Sequence, residues 1–300
     1  MKGLFQDSAE LLDVNKVWRY SEHIFELFAA KRACSSAGPF PLLLEAAEGK
    51  VRMVAQLAKV PRLAKVGPLT LYYEVAGEGP AVVLIHGLSG SGRWWAYNVP
   101  ALAQRYRVYN VDLVGFGRSR GQRLVLREAG AWLAEWLQIE GITHTHLVGH
   151  SMGGYIATEV AATAPDVVRR LVLVDALVLP IGRGLVWHAL DLARAMRYMR
   201  LNFLPVLVGD ALRAGPLTMW QATREVLSAD LSDRLDAVQA ETMVVWGEKD
   251  TLLGPDLGRR LAERLARARF VCVEGAGHNP MWDRPQRFNE LLLDFLADDD

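Results

Sequence analysis

Cysteine is nearly missing from this chain: Cys34 and Cys272 stand far apart, in neither C-x-x-C nor histidine-rich spacing. That spacing excludes a disulfide framework and a structural zinc site. Cys272, inside an apolar run, reads as a buried strand residue. An excess of charge of one sign is also missing, since 34 basic and 34 acidic residues balance to a formal net charge of +0. With no basic field, neither nucleic acid nor an anionic bilayer is an expected partner. A long uninterrupted apolar run is absent as well, because Asp175 and the stretch from Pro180 to Arg183 break the longest one. The first residues, Met1 to Asp7, hold no apolar signal core, so the expectation is a cytoplasmic protein with no integral membrane segment. There are no internal repeats, and the Asp298-Asp299-Asp300 tail reads as solvated.

What is present is enough apolar material for a large core, 51% of 300 residues. The pattern from Asp7 to about Ala33 is helical, with Asp7 and Glu10 in capping-box spacing and Leu11, Val14, Trp18, Phe25 and Phe28 on one face. Pro39 and Pro41 break it, and a second helix is expected from about Leu42 to Lys59. Residues 1–65 are therefore expected to form a helical extension. Lys50, Arg52, Lys59, Arg62 and Lys65, with no acid between Glu48 and Glu74, read as a solvated face leading into a strand. The alternative is a membrane-surface helix.

From Leu69 the apolar period shortens to two. Strands are predicted at Leu69 to Val75, Ala81 to Ile85, Arg107 to Val111, His146 to Gly149 and Leu171 to Asp175, with helices between them from Trp95 to Gln104, Arg127 to Ile139 and after Ser151. This alternation predicts an α/β fold with a mostly parallel sheet and helices on both faces. It stops at Leu177. Residues 177–240 hold helical stretches rich in Trp, Met, Leu and Phe and no strand, which reads as a helical lid over the carboxyl edge of the sheet. It resumes with the strands Thr242 to Trp246 and Phe270 to Val273 and the helices Pro255 to Arg267 and Pro285 to Leu296. The core is thus expected to comprise 66–176 and 241–300.

Chemistry concentrates at predicted strand ends. Gly149-His150-Ser151-Met152-Gly153 sets a serine between two glycines where a strand turns into a helix. Such a bend strains the serine backbone and leaves its hydroxyl at a helix N-terminus, where an anion is favoured. A serine hydroxyl needs a base, and the base needs an orienting group. His278 in Gly277-His278-Asn279 and Asp250 in Gly247-Glu248-Lys249-Asp250 follow the last two strands, where a parallel sheet makes strand ends converge. Asp175, also at a strand end, is the other candidate acid.

With His86-Gly87 after an early strand and Asp112-Leu113-Val114-Gly115-Phe116-Gly117-Arg118-Ser119 after the next, the stretch from about Leu69 to Leu296 resembles the α/β-hydrolase fold. The resemblance implies Ser151 as nucleophile, His278 as general base and acid, and Asp250 as its partner. It also implies an oxyanion hole from the backbone N–H groups of Leu88 and Met152. It gives no role to the first sixty-odd residues. His86 and His150 read as structural hydrogen-bonders, and His144 and His146 as surface histidines rather than a metal pair. Trp187, His188, Met199 and Trp220 in the lid are candidates for an acyl pocket or for packing. Trp94 and Trp95 are candidates for a pocket wall or for core.

A serine at the bend, not an aspartate, disfavours dehalogenase and epoxide hydrolase chemistry. The expectation is a serine hydrolase acting on small to medium carboxylic esters, apolar because the predicted lid is rich in Met and Trp and no lid arginine pattern marks a phosphate or carboxylate clamp; no cofactor and no metal are expected. Alternatives are carbon–carbon bond hydrolysis of aromatic ring-cleavage products and a slow-turnover receptor.

Overall fold

A computed structural model describes residues 58–180 and 194–297. The chain enters the sheet earlier than expected. Val60–Val66 (β1) pairs antiparallel with Leu69–Ala76 (β2) around a turn at Gly67, whose φ is 52°. The sheet thus begins six residues before the anticipated boundary, and the exposed basic residues Arg62 and Lys65 lie on a strand rather than on a face leading into one. β1 is the sheet edge, and its exposed Pro61, Arg62 and Lys65 deter pairing with another chain. The helices expected over 7–33 and 42–59 lie outside the described residues, save 58 and 59, which are not helical.

Ala81–Ile85 (β3) leads through a 3-10 turn at Gly92–Trp95 and the single turn Val99–Leu102 (α1) to Arg107–Asp112 (β4). Leu126–Ile139 (α2), Thr145–His150 (β5), Met152–Thr163 (α3) and Val168–Val174 (β6) follow. The sheet order is β1-β2-β4-β3-β5-β6, continued by Glu241–Gly247 (β7) and Ala268–Val273 (β8). Strands β3 to β8 are parallel and β2 runs against β4.

Period-two alternation divides the apolar side chains between two faces. Val83, Ile85, Leu147, Leu171 and Leu173 meet Leu133 and Trp136 of α2 and Ile156 and Val160 of α3 on one face. Val82, Leu84, Val148, Val172 and Val174 meet α1 and Phe288, Leu292 and Phe295 on the other. Cys272 does not share this burial. It is exposed, because β8 is the far edge strand and lacks a neighbour to cover it.

Between β6 and β7 the described chain has Leu204–Ala214 (α4), Pro216–Leu227 (α5) and a 3-10 turn at Ser232–Ala237, and no strand. Pro255–Arg264 (α6) joins β7 to β8, and Pro280–Asp283 (α7) and Pro285–Ala297 (α8) close the fold. Several contacts tie this helical segment to the sheet and its flanking helices. Phe203, fully buried, stacks edge-on against Trp94 with centroids 5.2 Å apart and lies 4.9 Å from Trp282. Asp210 accepts from the Ser91 hydroxyl at 2.7 Å. Glu225 accepts from the Leu126 amide at 2.6 Å, supplying the first turn of α2 with a cap that Val125 cannot provide. Among the described residues no helix is long and apolar enough to cross a membrane.

Candidate active site

Ser151 stands between β5 and α3 at φ 51° and ψ −117°, one of three non-glycine residues with positive φ among the described residues. Holding a serine there costs on the order of 1–3 kcal/mol and requires surroundings that over-determine the bend. They do so here. The Ser151 amide donates to Val174 at 2.9 Å, and its carbonyl accepts from Gly154 at 2.9 Å and Leu177 at 3.0 Å. A Cβ on Gly149 would collide with the Gly153 carbonyl, and one on Gly153 would lie 2.7 Å from the His86 oxygen, so α3 closes this tightly on β5 and β3 only with glycine at both positions. The hydroxyl caps no amide of α3 and has no hydrogen-bond partner among the described residues.

His278, half-buried after β8, points its Nδ1 at Asp250 Oδ2, 2.8 Å away. Asp250 is buried, and its other oxygen accepts from the amides of Leu252 at 2.8 Å and Leu253 at 3.2 Å. The His278 backbone is held from the elbow itself. His150 Nε2 lies 2.7 Å from the His278 carbonyl, so that nitrogen carries the proton, and the two rings stand 4.9 Å apart. Burial pushes the His150 ring well below the ordinary histidine range, and the neighbouring His278 adds to this.

His86 has the structural role read from the sequence. Its Nε2 accepts from the Leu113 amide at 3.0 Å, so Nδ1 carries the proton and donates to the Gly87 carbonyl at 2.8 Å. It thereby ties the loop after β3 to the loop after β4. A Cβ on Gly87 would come 3.0 Å from that of Ser151, which puts this loop's backbone against the elbow. Leu88 follows in that loop, and Met152 opens α3, where its amide has no acceptor within the helix.

Asp175, the other candidate acid, lies beneath Asp250 at φ 41° and is fully buried. One of its oxygens accepts from the Gly247 amide at 3.0 Å, which makes it a loop-bonding residue. Burial first, and the Asp250 charge second, hold its carboxyl well above the usual carboxylate range. Ligand atoms of Asp175, Asp250 and His278 lie within 4.8 Å of one another. With Asp250 engaged by three donors and Asp175 by the Gly247 amide, the cluster suits hydrogen bonding better than a cation cage. Sequence reasoning missed Asp283, buried in α7, whose Oδ2 accepts from the Gly277 amide at 2.9 Å and shapes the His278 loop. Burial raises its carboxyl as well.

The structure separates the pocket and surface candidates. Trp95 is fully buried beside Phe288, a core residue rather than a wall, because the 3-10 turn directs it away from the elbow. Trp94 is the one near the site, 5.6 Å from His150. Trp220 is 57% exposed with Arg224 stacked 5.0 Å over its ring, on the outside of α5. Met199 is partly buried against the α1 and α8 face of the core. Trp187 and His188 lie outside the described residues. His144 is exposed, but His146 is buried against Tyr106 at 6.0 Å, because its strand is central in the sheet.

With this geometry in hand, comparison with known proteins gives consistent results. The alpha/beta hydrolase family model matches residues 82–291. The chain is 30% identical over 257 residues to a pimeloyl-[acyl-carrier protein] methyl ester esterase of Aeromonas hydrophila, covering 76% of this chain and 100% of that protein. It is 32% identical over 265 residues to a 2-hydroxy-6-oxononadienedioate/2-hydroxy-6-oxononatrienedioate hydrolase of Paraburkholderia phymatum, covering 76% and 91%. The crystal structure of the enol-lactonase from Burkholderia xenovorans LB400 superposes with a TM-score of 0.72 at 24% identity, covering 79% and 100%, a likeness of fold. A serine elbow, a histidine and its acid at converging strand ends, and a family match across most of the sheet lead to one conclusion: the chain belongs to the alpha/beta hydrolase family.

Proposed function

We propose that this hydrolase cleaves carboxylic esters through a serine acyl-enzyme. Ser151 Oγ attacks the ester carbonyl while His278 Nε2 takes its proton, and Asp250 holds the ring with Nδ1 protonated and stabilises the imidazolium that forms. The amides of Met152 and Leu88 hold the oxyanion, aided by the N-terminus of α3. His278 then returns the proton to the departing alkoxide. Water, activated by the same ring, attacks the acyl-enzyme and regenerates Ser151. The observation that carries this reading is the strained serine at the strand-to-helix bend, with an acid-paired histidine whose carbonyl is bonded to the elbow. The Ser151 hydroxyl has no partner in this structure, and such bonds often tighten only when substrate is bound.

The substrate is a small to medium ester. The methyl ester esterase relative supports the ester bond; the apolar character rests on the composition of 177–240. Hydrolysis of a p-nitrophenyl ester series from acetate to long acyl chains tests the proposal. Wild type should peak at one chain length, and Ser151→Ala should lose about 10⁴-fold or more in kcat. Negligible turnover by folded wild type on every ester would overturn the ester reading. The similarity to the P. phymatum hydrolase favours carbon–carbon bond hydrolysis of a dienoate as a second reading, tested by turnover of a ring-cleavage diketone.

A further inference from the structure

Outside the serine site, a cavity of about 670 Å³ opens between β2, β4, the 3-10 turn and α4. None of Ser151, Asp250 and His278 lines it. Five of its lining residues are cations, Lys59, Arg93, Arg118, Arg120 and Arg213, against three carboxylates, in a chain with no net charge.

The carboxylates are already committed. Asp112, buried, accepts from the amides of Gly92 at 2.6 Å and Arg118 at 2.7 Å. Asp210, 1% exposed, accepts from Ser91 on one oxygen. On the other it accepts Nη1 of both Arg93 and Arg213 at 3.1 Å. Glu74 is likewise shared, between Lys59 at 3.4 Å and Arg118 at 2.9 Å. Each of these two acids thus faces two cations, and Arg120 adds another with no ion pair among the described residues. Like charges gathered on one acid repel, and the surplus is relieved by a further anion.

The geometry points to a phosphate-binding site, and we infer that this cavity takes a ligand bearing a phosphate or diphosphate group. Arg93, Arg118 and Arg213 belong to three separate elements: the 3-10 turn, the loop after β4, and α4 of the lid. Their bonds among the described residues run through Nη1, which leaves Nη2 and Nε of each for a ligand. Guanidinium groups brought in on separate elements match the three terminal oxygens of a tetrahedral phosphate better than the single plane of a carboxylate. This assembly was invisible as a lid arginine pattern, because only Arg213 of the three belongs to the lid. A phosphate held there bridges α4 to the sheet edge.

Isothermal titration of the full chain with inorganic pyrophosphate, inorganic phosphate and malonate tests the inference. Pyrophosphate should bind saturably and weaken with salt. Arg118→Gln and Arg213→Gln should each raise its Kd about 10- to 100-fold. Arg259→Gln, remote on α6, should leave it unchanged. These arginines are half-exposed or more, so the variants should fold, and Arg120→Gln, also exposed, gives a further test. Co-sedimentation with phosphatidic acid vesicles, but not with phosphatidylcholine vesicles, would assign the phosphate to a lipid headgroup. Its absence alongside pyrophosphate binding would assign it to a soluble ligand. No binding at millimolar pyrophosphate, equal loss in Arg259→Gln, or malonate binding as tightly as pyrophosphate would overturn it.

Discussion

At Ser151 the demands of the proposed chemistry and of stability oppose each other. Its φ of 51° exposes the hydroxyl at the head of α3 but suits glycine better than any L-residue. Removing the hydroxyl and removing the strain can be separated. Ser151→Ala keeps the Cβ and the strain, whereas Ser151→Gly loses both, so the glycine variant should be more stable by about 1–3 kcal/mol while both stay inactive. Equal denaturant midpoints would show that the bend is unstrained. Asp175 is the second residue where pH reveals the local physics. Its folded carboxyl is held above the usual range, so the folded state keeps a proton that the unfolded chain releases above about pH 3.9. The stability this proton provides is complete below that pH and declines as pH rises toward the folded value. Asp175→Asn keeps an acceptor for the Gly247 amide and does not titrate. Its Tm should match wild type near pH 3 and exceed it near pH 8. A gap independent of pH would mean that Asp175 is charged in the fold.

At the scale of elements, what the sequence makes legible follows from how local each signal is. Strands such as Ala81–Ile85 and the junctions at Ser151, Asp250 and His278 carry their information in a few adjacent residues, and the predicted strands fall on the observed ones within a few residues at either end. Whether a side chain is covered depends on neighbours far along the chain. Cys272 is exposed because, among the described residues, nothing pairs beyond β8, and His146 is buried because β5 is central. The lid shows this most clearly. Its apolar composition suggests an inward face, yet α4 buries only Asp210 and turns Val208 and Leu212 outward. It is held instead by the Asp210 contacts and by Phe203 between Trp94 and Trp282. Phe203→Ala removes a fully buried ring, a change that typically costs about 3–5 kcal/mol. Because the ring joins the lid to the body, the loss should appear first as lid opening. Limited proteolysis should cut within 196–230 faster than in wild type, at a temperature where the sheet remains folded. Cleavage spread evenly over the chain would place Phe203 in the global core instead.

For the whole molecule, the convergence of strand ends that builds the serine site also buries rings that must stay neutral. His86 and His150, on neighbouring strands β3 and β5, lie fully buried, and burial lowers both below the ordinary histidine value. Between about pH 6.5 and the lower pH at which each buried ring takes up its proton, the unfolded chain is protonated at these positions and the folded chain is not. Folding stability therefore falls as pH falls through that value, by up to about 1.4 kcal/mol per pH unit for each ring. His150→Gln separates this effect from loss of contact, since the Gln amide nitrogen can donate to the His278 carbonyl as Nε2 does, and Gln does not titrate. The variant should be less stable than wild type at pH 7.5, from imperfect packing against Trp94. The deficit should shrink steadily toward pH 5, where wild type gives up the advantage of its neutral ring. Thermal unfolding across that range decides the matter. A constant deficit would show that His150 takes up its proton equally in the folded and unfolded states, and the acid sensitivity of the fold would then have to come from other groups.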